Sequence, residues 1–533
     1  MSHTEAMRSN ESKLWAKAET EEIDSLVEHG TWEVVPRPQG KNVVSCRWVY
    51  RVKYGQGGEV TCYKARLVAH GFSQIHGIDY QETFAPVTRL ETIRLLLALA
   101  VEKDWEARQV DVKTAYLYGD LDEEIFMEAP EGYDVPEGHC LLLKKALYGL
   151  KQAGRQWYLK LKETLREFGL EQVKSEPHTF KTHKYISGKK LVLIVPVYVD
   201  DLFLFGDKAL TDEFEEWLPT YFQTTPPTDV SYFLGIRATR DRGEVNEETG
   251  KTEDANIILD QVAFIDSVLK RLTIPLKEKH TPLPLVEKLV SNPEPKENTN
   301  PDLVRSYQSA IGSLMYIMLG TRPDLAFAVG KLASFASNPS PEHQRAISHM
   351  FCYLNKTKDL SLRYQYSEEI ASPVGFCDAD WANSTDPENK RCSVSGACFF
   401  LSSAVFSWSS KKQAITAEST MEAEYITLWA TGRQASWIRQ FYKGITFPLE
   451  SPVLVLTDLQ SVIALATRTE VQHKGSKHFD VKYHSTKDRV ERNEIKVSYV
   501  KTQLNVADIF TKSLPREVHK GHAKSLELGE SNE

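Results

Sequence analysis

The stretch Lys190-Leu-Val-Leu-Ile-Val-Pro-Val-Tyr-Val-Asp-Asp-Leu-Phe-Leu-Phe-Gly206 sets two adjacent acids, Asp200 and Asp201, inside an apolar and β-branched run. The pattern predicts two buried strands meeting at a tight turn, with both carboxylates at its tip. Carboxylates so placed repel each other, and burying them unpaired is costly. A divalent cation with bound phosphate is one natural compensation; two solvated turn aspartates are the plain alternative. Upstream, Trp105-Glu-Ala-Arg-Gln-Val-Asp-Val-Lys-Thr-Ala-Tyr-Leu-Tyr-Gly119 puts Asp111 in a strand-like stretch, just before a Lys-Thr-Ala-Tyr helix start. Taken alone, Asp111 reads as a helix cap. With the acid pair downstream, it completes a layout that can close on two metal ions and suits in-line phosphoryl displacement.

The 533 residues exceed the usual span of one domain, and 41% hydrophobic with 10% aromatic content supplies several packed cores. A net charge of −8 argues against a basic coat, so a nucleic-acid partner needs a local track. Lys144, Lys145, Lys151, Arg155, Lys160 and Lys162 supply one, with no acid among residues 143–162. Residues 141–170 predict a helix carrying this track with Tyr148, Trp157 and Tyr158 interleaved, a pattern for a nucleic-acid groove or for an amphipathic surface helix. Seven scattered cysteines without a C-x-x-C pair fit a reducing compartment and exclude an obvious zinc site. No signal peptide opens the chain and no apolar run is long enough to span a bilayer, so a soluble intracellular protein is expected.

Residues 15–26 predict an acidic amphipathic helix, and Gly30-Thr-Trp-Glu-Val-Val-Pro36 a turn into a strand. Residues 43–54 and 60–70 predict two strands joined by Gly55-Gln-Gly-Gly58; the second puts Lys64 and Arg66 on one face, which by itself reads as solvated. Residues 92–107 predict a helix, a charged helix starts at Thr211, and Ser231-Tyr-Phe-Leu-Gly-Ile236 predicts a strand ending the unit. Residues 243–254 read as a polar turn region and 283–302 as a linker. Residues 306–337 predict two helices parted at Thr321-Arg-Pro-Asp324.

The last third predicts three consecutive strands (373–382, 392–401, 404–413), a long helix (419–442), a strand (452–458), helices at 459–467 and 477–493, a strand (495–502) and a short helix (505–514). Asp378, Glu424, Asp458 and Asp508 fall where strands end or a helix faces them. Each alone is an ordinary surface acid; the four in this order can form a second two-metal cluster.

Together with Leu14-Trp15 and Glu21-Glu-Ile-Asp-Ser-Leu26, further motifs are Tyr63-Lys-Ala-Arg-Leu-Val-Ala-His-Gly71, Tyr80-Gln-Glu-Thr-Phe-Ala-Pro-Val-Thr-Arg-Leu-Glu-Thr-Ile-Arg94, Leu143-Lys-Lys-Ala-Leu-Tyr-Gly-Leu-Lys-Gln152 and Tyr198-Val-Asp-Asp201. Ile311-Gly-Ser-Leu-Met-Tyr316, Trp408-Ser-Ser-Lys-Lys-Gln413, Glu422-Ala-Glu-Tyr425 and Ala507-Asp-Ile-Phe-Thr-Lys512 complete the set. From about residue 15 to 515, the chain resembles the reverse transcriptase–ribonuclease H region of the copia-type LTR retrotransposon Pol polyprotein.

The resemblance implies an α/β (α+β) fold: a right-hand polymerase of fingers, palm and thumb, followed by a ribonuclease H-like mixed-sheet domain. It implies an N-terminal extension (1–40), fingers and palm (41–240), thumb and connection (241–370), the ribonuclease H-like domain (371–515) and a C-terminal tail (516–533). Asp111, Asp200 and Asp201 match polymerase carboxylates, with Asp111 and Asp200 as direct metal ligands. Lys64 or Arg66 would contact the nucleotide triphosphate, Tyr116 would pack beneath the sugar, Gln152 would lie near the incoming nucleotide, and Phe233-Leu234-Gly235 would grip the primer end. Asp378, Glu424 (rather than Glu422), Asp458 and Asp508 match the nuclease acids, with Asp380 a weaker neighbour of Asp378.

Implied cofactors are two Mg²⁺ per active site, or Mn²⁺. Implied partners are an RNA template, a DNA primer, the RNA–DNA hybrid and deoxynucleoside triphosphates, with no membrane. The implied location is cytoplasmic, in retrotransposon particles, or nuclear. Gly154 stands where the family often has Pro, Leu459 where Asn often follows the third nuclease acid, and Thr420-Met421 where Ser-Thr is usual. The upstream protease and integrase are not in this sequence, so a fragment, a processed product or a truncated element copy is expected. The alternative function is a catalytically silent relic or a domesticated nucleic-acid-binding protein.

Overall fold

The computed structural model describes residues 1–54, 60–245, 252–253, 255–272, 277–285, 289–366, 372–381, 386, 392–467 and 477–530. The Gly55–Gly58 hairpin signal and parts of the 243–254 turn and 283–302 linker lie outside the described residues. Among the described residues no helix is long and apolar enough to cross a membrane.

The run around Asp200 forms the centre of a six-stranded antiparallel sheet. Its spatial order is Thr228–Asp229, Glu106–Asp111, Asp201–Gly206, Lys189–Tyr198, Thr179–Ile186, Glu171–Gln172. Residues 191–197 and 202–206 are buried on both faces, which is why this segment is continuously apolar instead of alternating. Helix Leu90–Glu102 packs on one face through a core with Val192, Ile194, Phe203 and Phe205. Helices Ala153–Glu167 and Lys208–Trp217 cover the other, where Leu193, Val195, Leu202 and Leu204 meet Trp157, Leu161 and Phe214. Beside this sheet, strands Cys46–Tyr54 and Val60–Ala69 form an antiparallel pair. Trp15 of helix Ser12–Glu28 sits edge-on to Tyr50 and Tyr63 of that pair.

Helices Val262–Leu269, Pro301–Gly320, Ala326–Ala333 and Pro341–Lys356 share a separate apolar core. The Thr321-Arg-Pro-Asp324 break between two of them buries a full ion pair. Arg322 and Asp324 side chains are both 0% exposed, bridged at 2.7 Å, and Tyr353 Oη donates to Asp324 at 2.8 Å. Asp324→Ala leaves a buried, uncompensated guanidinium, and is expected to lower unfolding free energy by about 3–5 kcal/mol, read as a fall in the urea midpoint.

The last third is a five-stranded sheet in the order Ala404–Lys412, Val394–Leu401, Val374–Asp380, Val453–Thr457, Ile495–Tyr499. The first three strands are antiparallel and the last two join in parallel, with the long helix Thr420–Gly444 packed on the sheet. The mixed α/β architecture is the expected one, with an antiparallel sheet in the first half and a mixed sheet in the last third.

Four local expectations are corrected. The 92–107 helix is Leu90–Glu102; Asp104 takes a left-handed φ of 50°, and Glu106 already starts a strand. The basic track is not one helix: Lys144 and Lys145 lie on strand His139–Lys145, and helix Ala153–Glu167 begins only after Lys151. Lys144, Lys145 and Arg155 pair with Glu33, Asp120 and Glu82, and Trp157 and Tyr158 are core residues, so no continuous aromatic-basic groove forms there. Residues 231–236 do not make one strand but two short ones, Tyr232–Phe233 and Ile236–Asp241, around a turn at Leu234-Gly235. The expected tail folds into helix Arg516–Ser525 and strand Leu528–Glu530, which pairs with Leu360–Gln365.

Candidate active sites

In the first site, the antiparallel register sets Asp201 directly opposite Asp111 on adjoining strands, so both carboxylates leave the same face of the sheet. Asp200 occupies the turn between Tyr198 and Asp201, and its carbonyl accepts the Val112 N–H at 2.9 Å. The turn is made by a β-branched residue in the left-handed region, Val199 at φ 59°, a conformation such residues avoid. Its carbonyl accepts the Trp157 indole N–H at 2.6 Å, so helix Ala153–Glu167 holds the turn in place. Thr225 fixes the Asp111 backbone from the other side, its Oγ1 accepting the Asp111 N–H at 3.0 Å. Burial first, then the nearby Asp200 and Asp111 charges, push Asp201 up to about 6.

Strand Val60–Ala69 is linked to this site through Arg66. Arg66 lies 4.8 Å above the Tyr148 ring, and Tyr148 meets Tyr116 edge-on at 4.7 Å. Burial, followed by the Asp200 charge, raises the Tyr116 phenol, while Arg66 opposes the shift. Arg66, Tyr148, Tyr116 and Asp200 therefore form one electrostatic file into the carboxylates. Gln152 stands apart from it: 1% exposed, its amide N–H groups donate to Asp79 O (2.9 Å) and Glu123 Oε2 (3.1 Å), and its Oε1 accepts from Gln74 Nε2 (3.2 Å). Those bonds tie it to the 74–79 loop and to Glu123.

Phe233 is buried edge-on to Phe203 at 5.4 Å, which plants the Leu234-Gly235 turn beside the palm sheet. Tyr316 Oη donates to the Leu234 carbonyl. A Cβ on Gly235, whose φ is +69°, would meet that Oη at 2.2 Å. Gly235→Ala is expected to cost about 1–2 kcal/mol from backbone strain alone, plus the clash. Thermal melting should show the penalty shrinking in a Tyr316→Phe background.

In the second site, oxygens of Asp378, Glu424 and Asp458 all lie within 4.8 Å of one another. Asp378 comes from a central strand, Glu424 from the long helix and Asp458 from the end of the next strand. Asp508 joins from the short helix Val506–Phe510, held by Lys512 Nζ at 2.8 Å. Thr511 Oγ1 donates to Asp378. Asp378 and Glu424 are about 4% exposed, and Glu424 Oε2 has no hydrogen-bond partner among the described residues. Burial drives both carboxyls well above their ordinary range, with Asp508 adding to Asp378 and Asp378 adding to Glu424. Glu422, two residues away, instead accepts the Glu418 N–H at 2.7 Å at the helix start. An orphaned buried carboxylate within a tight acidic set is a donor arrangement that a divalent cation fits.

Two supporting residues, Tyr316 and Thr511, carried no assigned role in the sequence reading, and two more, Trp157 and Tyr148, were read only as aromatics of the basic track. Each stood inside or beside a motif, but its partner lies 42, 82 or 133 positions away for Trp157, Tyr316 and Thr511, which no local pattern reveals.

A six-stranded antiparallel sheet thus carries the Asp111–Asp201 pair, and a separate five-stranded mixed sheet carries the second acidic set. Residues 29–282 belong to the family described as reverse transcriptase (RNA-dependent DNA polymerase). Along nearly its whole length the chain is similar to copia-type, retrovirus-related Pol polyproteins of transposons, as its motifs implied. It is 36% identical over 519 residues to that of transposon TNT 1-94 from Nicotiana tabacum, covering 96% of this chain and 38% of the relative. It is 33% identical over 527 residues to that of transposon RE1 from Arabidopsis thaliana, covering 98% of this chain and 34% of the relative. The chain thus spans little more than a third of the length of these relatives. Among solved structures, a foamy viral protease-reverse transcriptase in complex with double-stranded DNA aligns with 91% of this chain and 69% of its own, at a TM-score of 0.44 and 12% identity.

Proposed function

We propose that this chain is an RNA-directed DNA polymerase that also cleaves the RNA strand of an RNA–DNA hybrid, and that the two reactions use the two separate carboxylate sites. The observation that carries this reading is the pairing of Asp111 with Asp201 across the palm strands, beside a second, buried acidic cluster in its own sheet. Asp111, Asp200 and Asp201 would hold divalent cations in the first site; Asp378, Glu424, Asp458 and Asp508 would do so in the second. Bound Mg²⁺ or Mn²⁺ supplies Lewis-acid stabilisation of oxygens in phosphoryl transfer.

The chain's own groups do the positioning. Arg66, with Lys64 beside it on the same strand, takes the triphosphate; Tyr116 packs beneath the sugar; Phe233, Leu234 and Gly235 hold the primer end. Gln152 acts at one remove, keeping the 74–79 loop against the palm. Fingers and palm are assigned to 41–240, thumb and connection to 241–370, and the nuclease to 371–515. The C-terminal segment from 516 belongs to the folded body, as its strand pairs with Leu360–Gln365.

The test measures deoxynucleotide incorporation on an RNA template with a DNA primer, and cleavage of a preformed hybrid, on the same preparation. Both activities are expected, and Asp378→Asn should remove cleavage while extension persists. A folded protein that binds hybrid but performs neither reaction would replace this reading with a catalytically silent nucleic-acid-binding protein.

A further inference from the structure

Helix Leu90–Glu102 is buried on all sides, with every residue from Thr92 to Val101 in the interior. A helix enclosed all round lies between two bodies instead of on a surface. One of those bodies is the palm sheet, through Val192, Ile194, Phe203 and Phe205 in the shared core; the other is the nuclease, through Phe399, Val405 and Phe406 of the same core.

Both acids at the ends of this helix bond the second body. Glu91 accepts Ser407 Oγ at 2.8 Å and Gln434 Nε2 at 3.0 Å. Glu102 accepts Ser402 Oγ at 2.8 Å. Residues 91, 94 and 102 fall on one side of a helix with 3.6 residues per turn.

Arg94 lies on that side, one turn in from Glu91, and is 5% exposed. Its Nε donates to Phe406 O at 2.8 Å, and its NH1 donates to Leu319 O at 2.7 Å and Gly320 O at 2.9 Å. Its guanidinium lies 3.8 Å from the Trp408 ring centre. The Leu319 and Gly320 carbonyls end helix Pro301–Gly320, the same helix whose Tyr316 binds the Leu234 carbonyl. One side chain thus joins the palm helix, the helix that secures the 232–241 hairpin, and a nuclease strand. No carboxylate accepts from it in these bonds; three backbone carbonyls and an aromatic face hold the charge, a geometry lysine cannot reproduce.

We infer that Arg94 is a positioning residue that fixes the distance between the two active sites, so that the RNA strand is cut at a set number of nucleotides behind the primer end. This rests on the proposed pair of activities. Two sites on one rigid body measure a constant length of duplex, and a displacement of about 3 Å between them moves the cut by about one nucleotide. Neither site loses a group that touches nucleic acid when Arg94 changes.

The experiment compares the full-length chain with Arg94→Lys and with Ser407→Ala, which removes the hydroxyl's bonds to Glu91 and Gln434 without touching the buried cation. A primer stalled at a defined position on labelled RNA is incubated with Mg²⁺, and the cut positions are mapped. The native chain is expected to give one dominant position. Arg94→Lys should spread or shift it by about one nucleotide or more, with Ser407→Ala intermediate, while extension rate and cleavage of free hybrid stay near native. Identical cut positions in all three chains would overturn the inference.

A second readout needs no activity. Spin labels at Tyr185→Cys and Leu504→Cys, both exposed positions, are placed in a chain carrying Cys62→Ser, since Cys62 is an exposed thiol. The distance distribution should be narrow with Arg94 and broad with Arg94→Lys. A distribution of the same width in both would overturn the inference too. Absence of both activities in a native chain with a narrow distribution would count against the functional proposal alone, leaving the rigid placement standing.

Discussion

Asp200→Asn is expected to lower primer extension on an RNA template by at least about 10²–10³-fold, the scale of removing one electrostatic stabiliser from a reaction centre. The substitution keeps side-chain shape, and the turn is held by backbone contacts: Val112 N–H to the Asp200 carbonyl and the Trp157 indole to Val199. The fold should survive, and steady-state incorporation reads the chemistry. Cleavage of preformed hybrid should be unchanged, because its acids lie on other strands and another helix. A second effect is electrostatic. Asp200 contributes, after burial, to holding Asp201 up at about 6. Without that charge, Asp201 should titrate lower in the metal-free protein, measurable by carboxyl NMR. Extension at the native rate by Asp200→Asn would remove Asp200 from the site.

Glu424→Gln is expected to abolish hybrid cleavage and, in metal-free buffer, to raise the melting temperature of the nuclease unit. The side chain is buried with an unpartnered Oε2 near two other carboxylates, so its ionised form is costly to keep inside. The sign follows from proton uptake. Its folded-state affinity for a proton exceeds that of an ordinary glutamate, so the native state binds more protons than the unfolded chain above pH about 4.5. Stability of the metal-free protein should therefore fall as pH rises from that point through the raised folded-state value. Glutamine removes the Glu424 share of this slope, while the raised Asp378 keeps its own. Each kcal/mol recovered should appear as about 2–4 °C in the melt, largest at alkaline pH. Mg²⁺ should stabilise the native protein and do so less for the variant. Equal melting of the two metal-free proteins at high pH would mean that the carboxylate finds compensation inside the fold.

Much of the fold was legible in the chain because its signals are local. Fourteen residues of apolar sequence broken by Asp200-Asp201 suffice for a buried hairpin, since only pairing can satisfy backbone groups in so apolar a run. The five strands of the last third, though not their order in the sheet, follow from strand and helix punctuation, whereas Glu424 was chosen over Glu422 on the resemblance. The basic 143–162 segment misled because charge and aromatic content do not report direction: the same lysines serve as strand-surface ion pairs, and Trp157 faces inward.

What the sequence by itself determined is the inventory: two sets of acids, the strands that bear them and the family whose motifs they match. What only the tertiary structure decided is who stands beside whom. Gln152 turned inward to the 74–79 loop, Tyr316 reached back 82 positions to the Leu234 turn, and Arg94 reached forward 312 positions to Phe406. Periodicity and turn chemistry are carried by neighbours within a few residues. A hydrogen bond across hundreds of residues depends on how separate cores pack, and that is settled by burial of whole faces, not by the spelling of any one segment.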